Sequence, residues 1–153
     1  MRKIYNAAAV YAALGLAAGV YYRELTKAQS FTGRTQLAFA HVHLLALGTL
    51  FFLVVLVLEK SFSLTASPWF NRFFVVYQVG LGLASLMFLV HGTITVLGKE
   101  AGPAISGIAG LGHIGLAAGF ALFFVALRER VTAAAEQPIE AVAPVEVEIG
   151  VGA

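Results

Sequence analysis

Gln36-Leu-Ala-Phe-Ala-His41-Val-His43-Leu-Leu-Ala-Leu-Gly-Thr-Leu-Phe-Phe-Leu-Val-Val-Leu-Val-Leu58 is an unbroken apolar run with no Lys, Arg, Asp or Glu. A helix rises about 1.5 Å per residue and the hydrocarbon core of a bilayer is about 30 Å thick, so some 20 apolar residues span it. The run is long enough to cross, and far too long for a barrel strand. In lipid its backbone can satisfy its own polar groups only as a helix. Three further stretches read the same way, at roughly residues 4–22, 73–97 and 104–127, beside this one at 36–58. The expected fold is therefore all-α: an integral membrane bundle of four transmembrane helices within residues 1–130.

Composition agrees. The 153-residue chain is 59% hydrophobic and only 12% charged, against about 25% charged in an ordinary soluble domain. Mean hydropathy is +0.86. Cysteine is absent, which excludes disulfides, thiolate metal sites and iron–sulfur clusters. All eight acidic residues are glutamates. No basic run points to nucleic acid. Met1-Arg2-Lys3 before an apolar run resembles the start of a signal peptide, but no clean small-residue cleavage site follows. Tyr21-Tyr22-Arg23 closes the run like a membrane interface, so a retained helix is expected. Residues 131–153, with Pro138, Pro144 and four glutamates, read as a disordered, solvated tail.

The basic residues set an orientation. With the N-terminus inside, Arg2, Lys3, Lys60, Arg72, Arg128 and Arg130 are cytoplasmic, and Arg23, Lys27, Arg34 and Lys99 are outside. Six against four favours N-in and C-in, in a multi-pass protein of a bacterial inner (plasma) membrane. Gly15 and Gly19, and Gly115 and Gly119, have the spacing that lets helices approach closely. Gly110, Gly112 and Gly115 near His113 admit a second reading, as room for a flat cofactor.

All four histidines fall inside the spans. His41 and His43 start the second, His91 ends the third, and His113 lies early in the fourth. Alternating helix direction puts all four in one half of the bilayer, about 7 to 15 Å from the helix ends. Ionisable groups there are expensive and by default mark function. No membrane carboxylate is available to pair with them. Neutral imidazole ligates heme iron, copper or zinc well. His41 and His43, two residues apart, point about 200° apart around their helix, so one ion does not take both. A heme held by single histidines from two helices fits that layout better than a bare ion. Phe39, Leu44, Leu45, Phe88, Leu89 and Ile114 are candidate neighbours for an apolar macrocycle. Arg34, two turns before His41, is a candidate for its propionates.

The segment Gly33–Gly48, with His41-Val42-His43-Leu44-Leu45-Ala46-Leu47-Gly48, resembles the His-x-His helix of heme–copper oxidases, and the nitric oxide reductase version most closely. The resemblance implies that His41 matches the ligand of the active-site heme. It implies that His43 matches the ligand of the low-spin heme on the opposite side. His91-Gly92-Thr93-Ile94 is similar to the His-Gly-x-x-Met motif carrying the other low-spin ligand, with Thr95 in place of the methionine. The likeness covers some 15–20 residues. The oxidases' His-Pro-Glu-Val-Tyr segment and His-His pair, which hold copper, have no counterpart. The whole chain also resembles an uncharacterised family of small four-helix bacterial membrane proteins. The oxidase core has twelve helices in three arcs of four, which a homotrimer can rebuild, so a homo-oligomer is expected, a trimer before a dimer.

The leading expectation is a heme b-binding membrane protein for electron transfer or related redox chemistry, with a bis-histidine site of His43 and either His91 or His113. His41 then serves a second heme, a metal or a subunit contact. The redox partner, protein or quinone, is not specified by any motif. One alternative is a copper- or zinc-handling transporter or sensor. The other is a structural membrane protein whose histidines hydrogen-bond between helices.

Overall fold

The computed structural model describes residues 1–136 and is all-helical, with no strand among them. Its four long helices are α1 (Arg2–Ala28), α2 (Leu37–Phe62), α3 (Pro68–Val96) and α4 (Pro103–Ala135). All four are long and apolar enough to cross a membrane. At 26 to 33 residues they measure about 40 to 50 Å, more than the 30 Å of hydrocarbon. They therefore overrun the apolar stretches of sequence at most ends. Hydropathy marks only the part of a helix that lies in lipid, whereas the backbone bonds continue through the interface. α4 runs to Ala135, into the stretch expected to be tail, and the rest of that stretch lies outside the described residues.

Local signals fix the ends. Pro68 occupies the first turn of α3, where its missing N–H is no loss, and the Ser67 hydroxyl accepts the Trp69 N–H at 3.2 Å. Ser63 closes α2 with φ near 51°, in the left-handed region. The turn that follows is a short 3₁₀ stretch, Leu64–Ala66. The buried Glu59 carboxylate clasps it, accepting the Thr65 N–H at 2.7 Å. Arg130 of α4 donates to the Phe62 carbonyl at 3.1 Å, tying α4 to the same turn.

The helices run up, down, up, down, so both described ends lie on one side. α2 and α3 are central. α1 packs on both, α4 packs on both, and α1 and α4 do not touch. The closest seam joins α3 and α4. A Cβ added at Gly80 falls 2.5 Å from the Leu116 nitrogen, and one at Gly112 falls 2.6 Å from the Ala84 nitrogen. Gly115 faces Gly80, and Gly119 faces Tyr77. On α1, Gly15 lies under Leu45, and Gly19 lies beside His41. Glycine spacing therefore serves helix packing here, and Gly112 and Gly115 face α3 rather than a cofactor.

The two ends of the bundle differ. At the end where the chain enters, Phe51 sits among Phe52, Phe73, Tyr77, Phe120 and Phe123, with ring centroids 4.7 to 6.1 Å away. Arg72 lies over the Trp69 ring at 4.8 Å, an interfacial anchor. At the other end lie the histidines.

Because the α3–α4 seam is backbone against backbone, Gly112→Val is expected to destabilise the bundle by about 1–3 kcal/mol or more. Gly107→Ala, whose added carbon meets nothing within 4 Å, should be neutral or slightly stabilising. Thermal unfolding in detergent, followed by circular dichroism, separates the two.

Candidate functional site

Two of the four histidines meet. The rings of His43 on α2 and His113 on α4 have centroids 6.2 Å apart, with planes at 79°. Phe88 of α3 lies against both, 4.8 Å from His43 and 5.7 Å from His113. Phe39, one turn before His43, touches Phe88 at 6.1 Å. The result is a cleft between α2 and α4 with an aromatic floor from α3. His43 is half-buried and His113 is exposed, so the cleft opens outward into the lipid level of the bundle.

Each of the two rings is anchored the same way. His43 Nδ1 lies 2.9 Å from the Phe39 carbonyl, and His113 Nδ1 lies 2.9 Å from the Ala109 carbonyl. A carbonyl only accepts, so each Nδ1 carries the proton and donates. In the neutral ring Nε2 then holds the lone pair. Metal-ligating histidines have this arrangement: one ring nitrogen tied to an acceptor, the other free to ligate. A metal–imidazole bond is about 2.0–2.1 Å, so two imidazoles sharing one metal would have centres roughly 6 Å apart. The His43–His113 pair is at that separation. Gly110, one turn before His113, has open space beside it, nothing lying within 4 Å of an added carbon.

His41 faces the other way, as the 200° offset predicts. Its ring stacks on Tyr22 of α1 at 6.1 Å and 14°, and its Nδ1 is buried with no hydrogen-bond partner. His91 is half-buried on α3, and among the described residues its ring meets neither His43 nor His113. Arg34 is exposed at the same end of the bundle, in the loop before α2. The expected apolar surround is only partly formed. Phe39 and Phe88 flank the pair, but Leu44 and Leu89 turn toward a groove beside α1, and Leu45 packs on Gly15. Ile114 is 66% exposed. A bare zinc or copper site calls for three or four converging ligands. Among the described residues no three His or acidic side chains converge in that way.

What aims His43 is a change of helix type that the sequence does not announce. From Leu44 to Leu50, immediately after His43, α2 winds as a π-helix. Its wider turns leave carbonyls in need of partners, and such segments are frequent at functional sites. Tyr77, fully buried on α3, donates its hydroxyl to the Leu47 carbonyl at 3.0 Å. The Thr49 hydroxyl reaches back to the Leu44 carbonyl at 3.5 Å. Gly48 lets the Tyr11 ring lie on the segment, for a carbon there falls 2.5 Å from it. Tyr77 is thus a positioning residue about three turns below Phe88 on α3, and only its aromatic character hinted at it in the sequence.

A family model described as a protein of unknown function, DUF2871, matches residues 1–130. No curated protein and no solved structure matches the chain.

Tyr77→Phe keeps the ring in the aromatic cluster and removes only the hydroxyl. It is expected to cost about 1 kcal/mol of stability. The backbone amides of residues 44–50 should exchange hydrogen faster in the variant while those of α4 stay unchanged, as read by hydrogen–deuterium exchange.

Proposed function

We propose that this chain, which belongs to the DUF2871 family, binds heme b between His43 and His113 and serves electron transfer or related redox chemistry in the membrane. One observation carries the reading: two imidazoles from different helices, 6.2 Å apart, each with Nδ1 tied to a backbone carbonyl. The residues present fit the group. His43 and His113 would hold its iron as neutral imidazoles, and Phe88 and Phe39 would give its apolar ring a dry, aromatic surface. Bound heme supplies one-electron chemistry at iron, and the protein supplies ligands, orientation and dielectric. The Phe39 and Ala109 carbonyls hold the rings in one tautomer and raise their basicity. Arg34, exposed at the histidine end, is the cation we assign to the propionates.

Two finer assignments go with this reading. The membrane is a bacterial inner membrane, with the histidines in its outer half. The protein assembles as a homotrimer, since three four-helix chains equal the helix count of the oxidase core. Native mass spectrometry from lipid nanodiscs tests the assembly, and monomer alone overturns it.

The heme assignment predicts a Soret band in protein expressed with ample heme, and sharp low-spin bands on reduction with dithionite. His43→Ala and His113→Ala should each abolish the low-spin spectrum. His41→Ala and His91→Ala should retain it. A colourless preparation, or a spectrum indifferent to both His43 and His113, overturns the proposal.

A further inference from the structure

A second feature owes nothing to the histidine cleft and shares none of its residues. Between α1 and α3, over Leu44 of α2, lies a groove of about 680 Å³. Its walls include Tyr11, Tyr21, Leu44, Gly82, Ser85 and Thr93. These residues lie within the membrane-crossing helices, so the groove faces the hydrocarbon phase along most of its length, with Tyr21 at its interfacial end.

The groove is apolar with two polar points, and both are chemically incomplete. Ser85, near the middle of α3, is 3% exposed, and its hydroxyl has no hydrogen-bond partner. A helical serine or threonine ordinarily returns its hydroxyl to the carbonyl one turn back. Thr26, Ser61, Thr93 and Thr95 all do so in this chain. Ser85 does not, and no water in hydrocarbon can serve instead. The second point is the Tyr21–Thr93 hydroxyl pair at 2.9 Å. Thr93 spends its proton on the Leu89 carbonyl at 2.6 Å, so Tyr21 must donate to Thr93. The Tyr21 oxygen is left as an acceptor on the groove wall.

Thr93 and Ser85 are eight residues apart, about 12 Å along α3. A six-membered ring with oxygens on opposite edges, hydrogen-bonded at both ends at about 2.8 Å each, is of the size to bridge them. Gly82 flattens the wall below, where an added carbon meets nothing within 4 Å. The volume lies within the roughly 300–1,000 Å³ of small-molecule sites, which are mostly apolar with a few placed polar groups. An acyl chain can fill the apolar part, but it offers nothing to Ser85 or Tyr21.

We propose that this groove binds a lipid-soluble ring of the prenylated hydroquinone class, with one ring hydroxyl donating to the Tyr21 oxygen, the opposite ring oxygen accepting from the Ser85 hydroxyl, and the tail along the aliphatic wall. The inference rests on the groove alone and stands whether or not heme is bound.

The test uses the full chain in phospholipid nanodiscs, titrated by calorimetry under anaerobic, reducing conditions with a decyl-substituted benzohydroquinone. Saturable binding is expected. Ser85→Ala should weaken it about tenfold, the share of one hydrogen bond. The same variant, without ligand, should melt no lower than the parent, because it removes an unpaired buried hydroxyl. Gly82→Leu should abolish binding by filling the slot. Both variants keep His43 and His113, so any heme spectrum is retained, and failure of one reading is distinguishable from failure of the other. Absence of saturable binding overturns the proposal. So does equal binding of a decyl chain lacking the ring, which marks a lipid site. A spontaneous interchain disulfide in Gly82→Cys also overturns it, since a second copy then occupies the groove.

Discussion

The contact on which the rest of the bundle depends is the bare backbone seam between α3 and α4. Lipid tails are as apolar as leucine, so burial of side chains does little to draw helices together in a bilayer. Close packing must do it, and Gly80, Gly112, Gly115 and Gly119 let two backbones meet with no side chain between them. That seam fixes how far α4 lies from α3, and hence how far His113 lies from Phe88. α2 then rests on both helices, and His43 arrives beside them. A bulkier seam would hold α4 away and open the histidine pair without touching either ring.

The bundle is polarised. Its lower half is filled by phenylalanine rings in mutual contact, with Phe51 at their centre. Its upper half carries small residues, the histidine cleft on one side and the α1–α3 groove on the other. The division gathers the aromatic packing at one end and places both openings at the other. α1 and α4 do not touch, so cleft and groove both lie between helices joined through the central pair.

The helices could be read from the sequence because their signal is local. Charge-free runs give the spans, whereas the start of α3 at Pro68, five residues before its apolar run, is set by Ser67-Pro68, which hydropathy does not register. The opposite facing of His41 and His43 was also legible, since it follows from helical rotation within one element. The partner of His43 was not. His91 and His113 stand at similar depth, and choosing between them requires the crossing of α2 over α3 and α4, which side-chain packing decides. The burial of Glu59, a charged residue at the end of an apolar run, was equally hidden. It follows from the turn it clasps. The π segment was invisible for a related reason. Its irregular winding is held by Tyr77, a residue distant in sequence, and nothing in Leu44–Leu50 itself demands it.

That segment has one more consequence. A stretch of i→i+5 bonding lags an α-helix by roughly one residue's rotation, about 100°. α2 therefore has two angular frames, one above Leu44 and one below Leu50. The upper frame addresses the cleft and the lower one the ring cluster, and neither is in phase with the other. Rewinding the same residues as an α-helix would swing both histidines together by about 100°, whereas deleting a single residue within the segment would let it wind as an α-helix and leave their bearings unchanged. α2 behaves as two half-helices geared by one tooth, so the aim of its histidines is stored in the winding of Leu44–Leu50 and not in the histidines' own turn.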